Sequence, residues 1–247
     1  IIASFEAGAV SYLYYADRIY QINLAIAGIA IGTVALPELA KNIKKGNMVG
    51  AMNMQNKSLE LCLLLSLPAS LGLIVASNEI ISALFGYGSF NEENVILTAQ
   101  ALKYFGFGVP AFALIKILSN FLFARDNTKV PFYISSFIVF LNILISIIYF
   151  KEIGFIIIPI ATSISTWIGV LIYLVLLIKS KYLNFKLIFF INLIKILISL
   201  AIMTLALFYS INFFEDKLIY SNYYKSFYLI MIVILTAGLY LSSSSLL

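Results

Sequence analysis

The stretch FIIIPIATSISTWIGVLIYLVLLI, residues 155–178, carries no charged side chain along its whole length. As an α-helix rising 1.5 Å per residue it reaches about 36 Å, enough to cross the ~30 Å hydrocarbon layer of a bilayer. A membrane-spanning β-strand would need only about 9–11 residues of alternating polarity. This run has neither that length nor that period, so it reads as a transmembrane helix, and residues 226–246 read the same way. Working outward, residues 11–36, 58–78, 99–123, 130–150 and 187–213 are apolar stretches of comparable length, separated by polar, charged or turn-forming residues. The expected fold is an all-α polytopic membrane protein with seven spans.

Composition agrees. Of 247 residues, 62% are apolar and 11% charged, against roughly 45–50% and about 25% in soluble domains. Soluble, disordered, collagen-like and disulfide-scaffold classes fall away. Histidine is absent and the single cysteine, Cys62, lies inside an apolar run. No His/Cys metal site or internal disulfide can therefore be built, and no metal is expected. The sequence has no phosphate-binding Gly-x-x-x-x-Gly-Lys-Ser/Thr loop, no dinucleotide glycine fingerprint and no Gly-x-Ser-x-Gly elbow, so no cofactor is expected and the chain does not read as an enzyme. Ile1 to Phe5 look like the last turn of an apolar segment, and the chain is expected to be a fragment of a longer protein.

The net charge of +5 reads as a topology signal. No basic stripe interleaved with aromatics lies outside a span, so no nucleic-acid partner is expected. Counted over alternate loops, one set holds nine basic residues: Lys41, Lys44, Lys45, Lys57, Arg125, Lys129, Lys179, Lys181 and Lys186. The other set holds three, Lys151, Lys217 and Lys225, together with Glu79, Glu92 and Glu93. Basic loops stay in the cytoplasm, which places the C-terminus there too.

The polar chemistry concentrates in the first span, at Tyr14-Tyr15-Ala16-Asp17-Arg18-Ile19-Tyr20-Gln21. Ionised groups at that depth are costly and usually face a bundle interior or an aqueous cavity. At 100° per residue Tyr14, Arg18 and Gln21 share a face, with Asp17 beside them at i+3 from Tyr14 and i−4 from Gln21. Asp17 and Arg18 are adjacent and do not point at each other. A phosphate or carboxylate held bidentately is the natural partner of Arg18. An ion pair with another helix, or snorkelling to the outer interface, would also account for the pair.

Other signals are less specific. Lys116, followed by Ser119, Asn120 and Arg125, reads either as lining the inner mouth of a cavity or as snorkelling, and Lys195 reads as snorkelling. Asn142, alone in an apolar span, predicts an interhelical hydrogen bond. Gly28 and Gly32 allow close helix approach, and also a smooth surface on which two lobes slide. Pro68, Pro110 and Pro159 interrupt spans in a way that suits a transporter, although proline is common in membrane helices generally. Residues 78–94 are patterned as an amphipathic segment on the outer surface, with Ile80, Ile81, Leu84 and Phe85 on one side.

Several runs together resemble one family. GAVSYLYYADR ending at Arg18, GIAIGTVALPELA from Gly28, LCLLLSLPA from Leu61, LFGYGSF from Leu84, Lys116, and FARDNTKVP from Phe123 are similar to the MurJ (MviN) family of bacterial lipid II flippases in order and spacing. The likeness covers about the first 180 residues, and the last two spans by hydropathy only. It implies the second lobe of a fourteen-helix exporter of the multidrug/oligosaccharidyl-lipid/polysaccharide superfamily. Residues 1–180 would form the second transporter bundle and residues 181–247 two additional transmembrane helices, with the N-terminal lobe missing.

The resemblance further implies that Asp17 and Arg18 face a central cavity, that the arginine is required for transport, and that the last two helices form a groove for an undecaprenyl tail. The substrate-binding candidates are Arg18, Asp17, Tyr14, Gln21 and Lys116. Gln21 stands where some members carry glutamate, so no second carboxylate role is expected there. The implied partners are undecaprenyl-pyrophosphoryl disaccharide-pentapeptide, membrane lipids and the missing lobe. The implied location is the bacterial inner membrane, with direction supplied by a cation gradient or the membrane potential. A flippase for another polyprenyl-linked oligosaccharide, a multidrug exporter and a non-transporting membrane scaffold remain as alternatives.

Overall fold

The computed structural model describes residues 6 and 8–246, and among them every regular element is helical. The first span is α1 (Ala9–Leu24) and α2 (Ile31–Lys44), joined by a wide π-helical turn, Ala25–Ala30. There follow α3 (Met48–Val75), the short α4 (Ser77–Phe85), α5 (Glu92–Phe123), α6 (Lys129–Ile153), α7 (Ile157–Lys179), α8 (Leu187–Phe213), α9 (Glu215–Leu218) and α10 (Lys225–Leu246).

Among the described residues, six continuous helical stretches are long and apolar enough to cross a membrane. One of them, Lys129–Lys179, has 51 residues and would measure about 77 Å if straight, more than twice the hydrocarbon thickness. It doubles back at Gly154, whose φ of 74° lies in the left-handed region that glycine enters without steric cost. α6 and α7 thus become two antiparallel crossings, which restores the seven spans read from the sequence. The amide of Asn142 donates to the Thr162 hydroxyl at 2.8 Å across this hairpin, the interhelical bond its isolation predicted.

Helix limits depart from the apolar limits. α3 begins at Met48, well before residue 58, and α5 at Glu92 rather than 99. Hydropathy marks the depth of the hydrocarbon, whereas helix starts are set by capping side chains. Asn47 accepts from the Gly50 amide at 3.0 Å, and Asn91 from the Asn94 amide at 2.9 Å.

α5 is the hub, packed against α1, α3 and α7, and most of its apolar side chains are buried, so they serve protein contacts more than lipid. α8 and α10 pack on one another, and reach the rest through α3 and α4. Two prolines fall inside helices that touch these neighbours. Pro68 lacks the N–H that Leu64 O would accept, and Tyr240 of α10 supplies its hydroxyl instead at 2.8 Å. Pro110 frees Gly106 O in the same way, and Ser70 of α3 donates to it at 2.7 Å.

α4 corrects one detail of the amphipathic reading. Ile81 is buried and Ile80 and Phe85 pack beside it, but Leu84 is 57% exposed. The helix is turned so that Ala83 meets Leu218 and Leu229, a contact with distant α9 and α10 that local periodicity does not contain.

Candidate functional site

The helical period divides α1 into two faces. Ala16, Ile19 and Tyr20 are buried, and the Tyr20 ring stacks on Phe105 at 5.1 Å and meets Phe112 at 5.2 Å, both on α5. Tyr14, Arg18 and Gln21 lie on the opposite, exposed face, with Asp17 half-buried at its edge. Aromatic packing behind the helix therefore fixes which way the polar residues look.

Each charged group is held from its own helix. The Arg18 guanidinium carbon sits 4.7 Å from the centroid of the Tyr14 ring one turn earlier, a cation–π contact that orients the plane while leaving N–H edges available. Gln21 Nε2 donates to Asp17 Oδ2 one turn later. No carboxylate on another helix pairs with Arg18 among the described residues, so an ion pair within this bundle is not what the residues build. A guanidinium pre-oriented and exposed about two turns inside one end of an apolar span is chemically suited to a bidentate oxyanion.

Lys116 does not join this cluster. Gly28 packs so tightly on α5 that an added Cβ would lie 3.1 Å from Ala113 Cα, and Gly32 O accepts from Asn120 Nδ2 at 3.0 Å. That register sets Lys116 level with about residue 31, some 20 Å along the helix axis from Arg18. The other residues expected near Lys116 are otherwise engaged. Asn120 is in the helix contact, Ser119 bonds Lys116 O at 3.0 Å, and Arg125 donates to Phe121 O at 2.5 Å and Tyr182 O at 3.2 Å. Burial pushes the Arg125 pKa below its ordinary value. Arg125 therefore ties two loops together.

Two further features adjoin the site: one that the sequence reading missed, and one, a groove at the last two long helices, that the resemblance implied without its α3 wall. The Tyr15 ring, beside the site, packs on Phe85 at 4.7 Å and Phe90 at 5.4 Å, so the turn after α4 buttresses α1. An apolar groove of about 350 Å³ also runs between α3, α8 and α10, past Pro68, Gly72, Met203, Thr236 and Tyr240, and Asn23 of α1 borders it. The small residues Ala69, Gly72 and Ala76, at helical spacing after a proline, were its available signal.

The family model described as "Lipid II flippase MurJ" matches residues 1–230. The chain belongs to the MurJ family. A "Probable lipid II flippase MurJ" of Rhizobium tropici is 42% identical over 168 residues, covering 68% of this chain and 32% of that protein. One of Rhizobium meliloti is 36% identical over 211 residues, covering 85% and 39%. A solved structure, "Lipid II flippase MurJ, inward closed conformation", overlays with a TM-score of 0.79 at 27% identity, over 99% of this chain and 48% of that one. The MurJ likeness thus extends through α8 and α10, which the sequence runs reached by hydropathy alone. This chain spans less than half the length of the MurJ proteins it matches here.

Proposed function

We propose that this chain supplies one lobe of a flippase that carries lipid-linked peptidoglycan precursor, lipid II, from the cytoplasmic to the outer leaflet of the bacterial inner membrane. The observation that carries the reading is the exposed Tyr14–Asp17–Arg18–Gln21 face about two turns inside one end of an apolar span, cemented from behind to α5. A pyrophosphate headgroup cannot cross ~30 Å of hydrocarbon unaided. Arg18 replaces part of its hydration, Tyr14 and Asp17 position Arg18 and its surroundings, and Gln21 holds Asp17.

Rocking of two lobes moves the mouth of the cavity while the site stays in place. The apolar groove, bordered on α1 by Asn23, receives the polyprenyl tail. The work is transport rather than bond chemistry. A cation gradient or the membrane potential, at ~2.3 kcal/mol per charge per 100 mV, supplies direction. Lys116, some 20 Å away by helix rise, is assigned to the inner part of the same pathway, and the basic loops place the C-terminus in the cytoplasm.

The test is complementation of flippase depletion by the protein in its full-length form. Arg18→Ala is expected to abolish growth at normal expression, and normal growth would refute the assignment. Retained function in the charge exchange Asp17→Arg with Arg18→Asp would favour a scaffold instead.

A further inference from the structure

The end of the bundle opposite the basic loops carries an acidic cleft that the transport reading does not use. Three helices begin around it. Asn78, Glu79 and Ser82 share one face of α4, Glu92, Val95 and Ile96 one face of α5, and Glu215, Leu218 and Ile219 one face of α9, at spacings of three and four. With Ile211 and Tyr220 they enclose about 250 Å³, and no basic side chain lines the space. Lys225, which meets Tyr220, donates to Gly86 O and Tyr220 O. Among the described residues no ion pair with a basic side chain engages Glu79, Glu92 or Glu215.

A carboxylate in the first turn of a helix also complements that helix's dipole, but an N-terminus offsets only about half a charge. α4 and α5 therefore leave about two of the three negative charges unbalanced. The dipoles do nothing for Ser82. Ser58, Thr166, Thr204 and Thr236 each donate to the carbonyl one turn back in their own helix. Ser82, 3% exposed, has no partner for its hydroxyl. Of the buried side-chain atoms left unpaired among the described residues, its Oγ is the one that belongs to a residue lining this cleft.

The lining changes with depth. Glu92 and Glu215 are exposed, Glu79 is half-buried, and Val95, Leu218 and Ser82 are buried. A hydroxyl with free lone pairs, one turn from a half-buried carboxylate on the same helix face, is a seat for a positively charged N–H donor. The exposed carboxylates offer a second such seat, and the aliphatic side chains between suit methylene groups. Among the described residues no three acidic groups stand close enough to hold a metal ion, so the cleft suits separated charges better than one ion wrapped in oxygens. An occupant that matches has ammonium groups joined by a short hydrocarbon stem.

We propose that this cleft binds a linear polyamine, with one ammonium between Glu79 and Ser82, its methylenes against Val95 and Leu218, and a further ammonium at Glu92 and Glu215. Bound there, it bridges α4 and α5 to the segment between α8 and α10, and so fastens the last two long helices to the bundle. The binding stands independently of the transport reading.

Calorimetric titration and thermal unfolding of the purified full-length protein in uncharged detergent, with spermidine at constant ionic strength, test this. Spermidine is expected to bind saturably and to raise the unfolding temperature. Glu79→Gln with Glu215→Gln is expected to weaken binding about tenfold or more through loss of charge-assisted hydrogen bonds. Ser82→Ala is expected to weaken it about threefold while the ligand-free protein stays as stable as before, since that hydroxyl has no bond to lose. Glu93→Gln, beside Glu92 but outside the cleft, is expected to bind as the unmodified protein does. Unchanged affinity in the double glutamine variant or in Ser82→Ala would overturn the proposal. So would displacement of spermidine by Mg²⁺ at equal ionic strength, marking a metal site, or equal stabilisation by propylammonium, marking a site for a lone charge.

Discussion

Lys225 at the start of α10 is 1% exposed, and among the described residues no carboxylate pairs with it. Its Nζ donates to Gly86 O and Tyr220 O, each at 2.8 Å, and lies 4.4 Å and 4.5 Å from the ring centroids of Tyr87 and Tyr220. Around it, Ser226 Oγ donates to Ala83 O at 2.8 Å. That uses the only hydroxyl proton of Ser226, so Tyr87 must be the donor in their 2.8 Å contact. The cage fastens α10 to the turn after α4, and so holds the last helix to the lobe.

Lys225→Met keeps most of the stem and removes every donor. Each orphaned buried carbonyl costs ~1–3 kcal/mol and the lost cation–π contacts ~0.5–2 kcal/mol. Relief from burying an ammonium offsets part of this, leaving a net destabilisation of roughly 2–4 kcal/mol. Denaturant unfolding in detergent micelles reads it, and a double-mutant cycle with Tyr87→Leu should give a coupling of about 0.5–2 kcal/mol. If Lys225→Met unfolds within ~0.5 kcal/mol of the unmodified protein, or the cycle shows no coupling, the cage does not clamp α10.

Tyr240→Phe strands the Leu64 carbonyl that Pro68 left without a donor, at ~1–3 kcal/mol; combined with Pro68→Ala it should cost less than alone, because the helix regains its own N–H, and unfolding of the three variants checks this. Asn142→Leu should loosen the α6–α7 hairpin by about 0.6 kcal/mol, read by unfolding in the same micelles. Burial holds the Glu79 carboxyl above its ordinary pKa. The protein should therefore be steadiest with respect to this group below the ordinary carboxylate range and lose that contribution as pH rises through the elevated value. Glu79→Gln should remove that slope from a stability–pH curve, and an unchanged slope would show that another group sets it.

What the chain could tell on its own was whatever the bilayer decides residue by residue. Removing apolar surface from water and closing every backbone hydrogen bond locally leave long helices as the only solution, so the spans stand out from composition alone. The same reasoning makes Asn142 legible, since a lone amide in hydrocarbon must find a partner. It also makes the Asp17–Arg18 face legible, because two charges at that depth need a reason to be there. Helix limits escaped because Asn47 and Asn91 cap helices beyond the hydrocarbon.

The folded arrangement alone decided the rest. The distance of Lys116 from Arg18 follows from the seating of Gly28 on Ala113. The groove exists because α8 and α10 lie against α3, with Tyr240 meeting Leu64 across 176 positions, and Leu84 is exposed because Ala83 meets α9 and α10. Each depends on register between helices far apart in the chain. Hydrocarbon is equally content with many registers, so packing among side chains has to choose one.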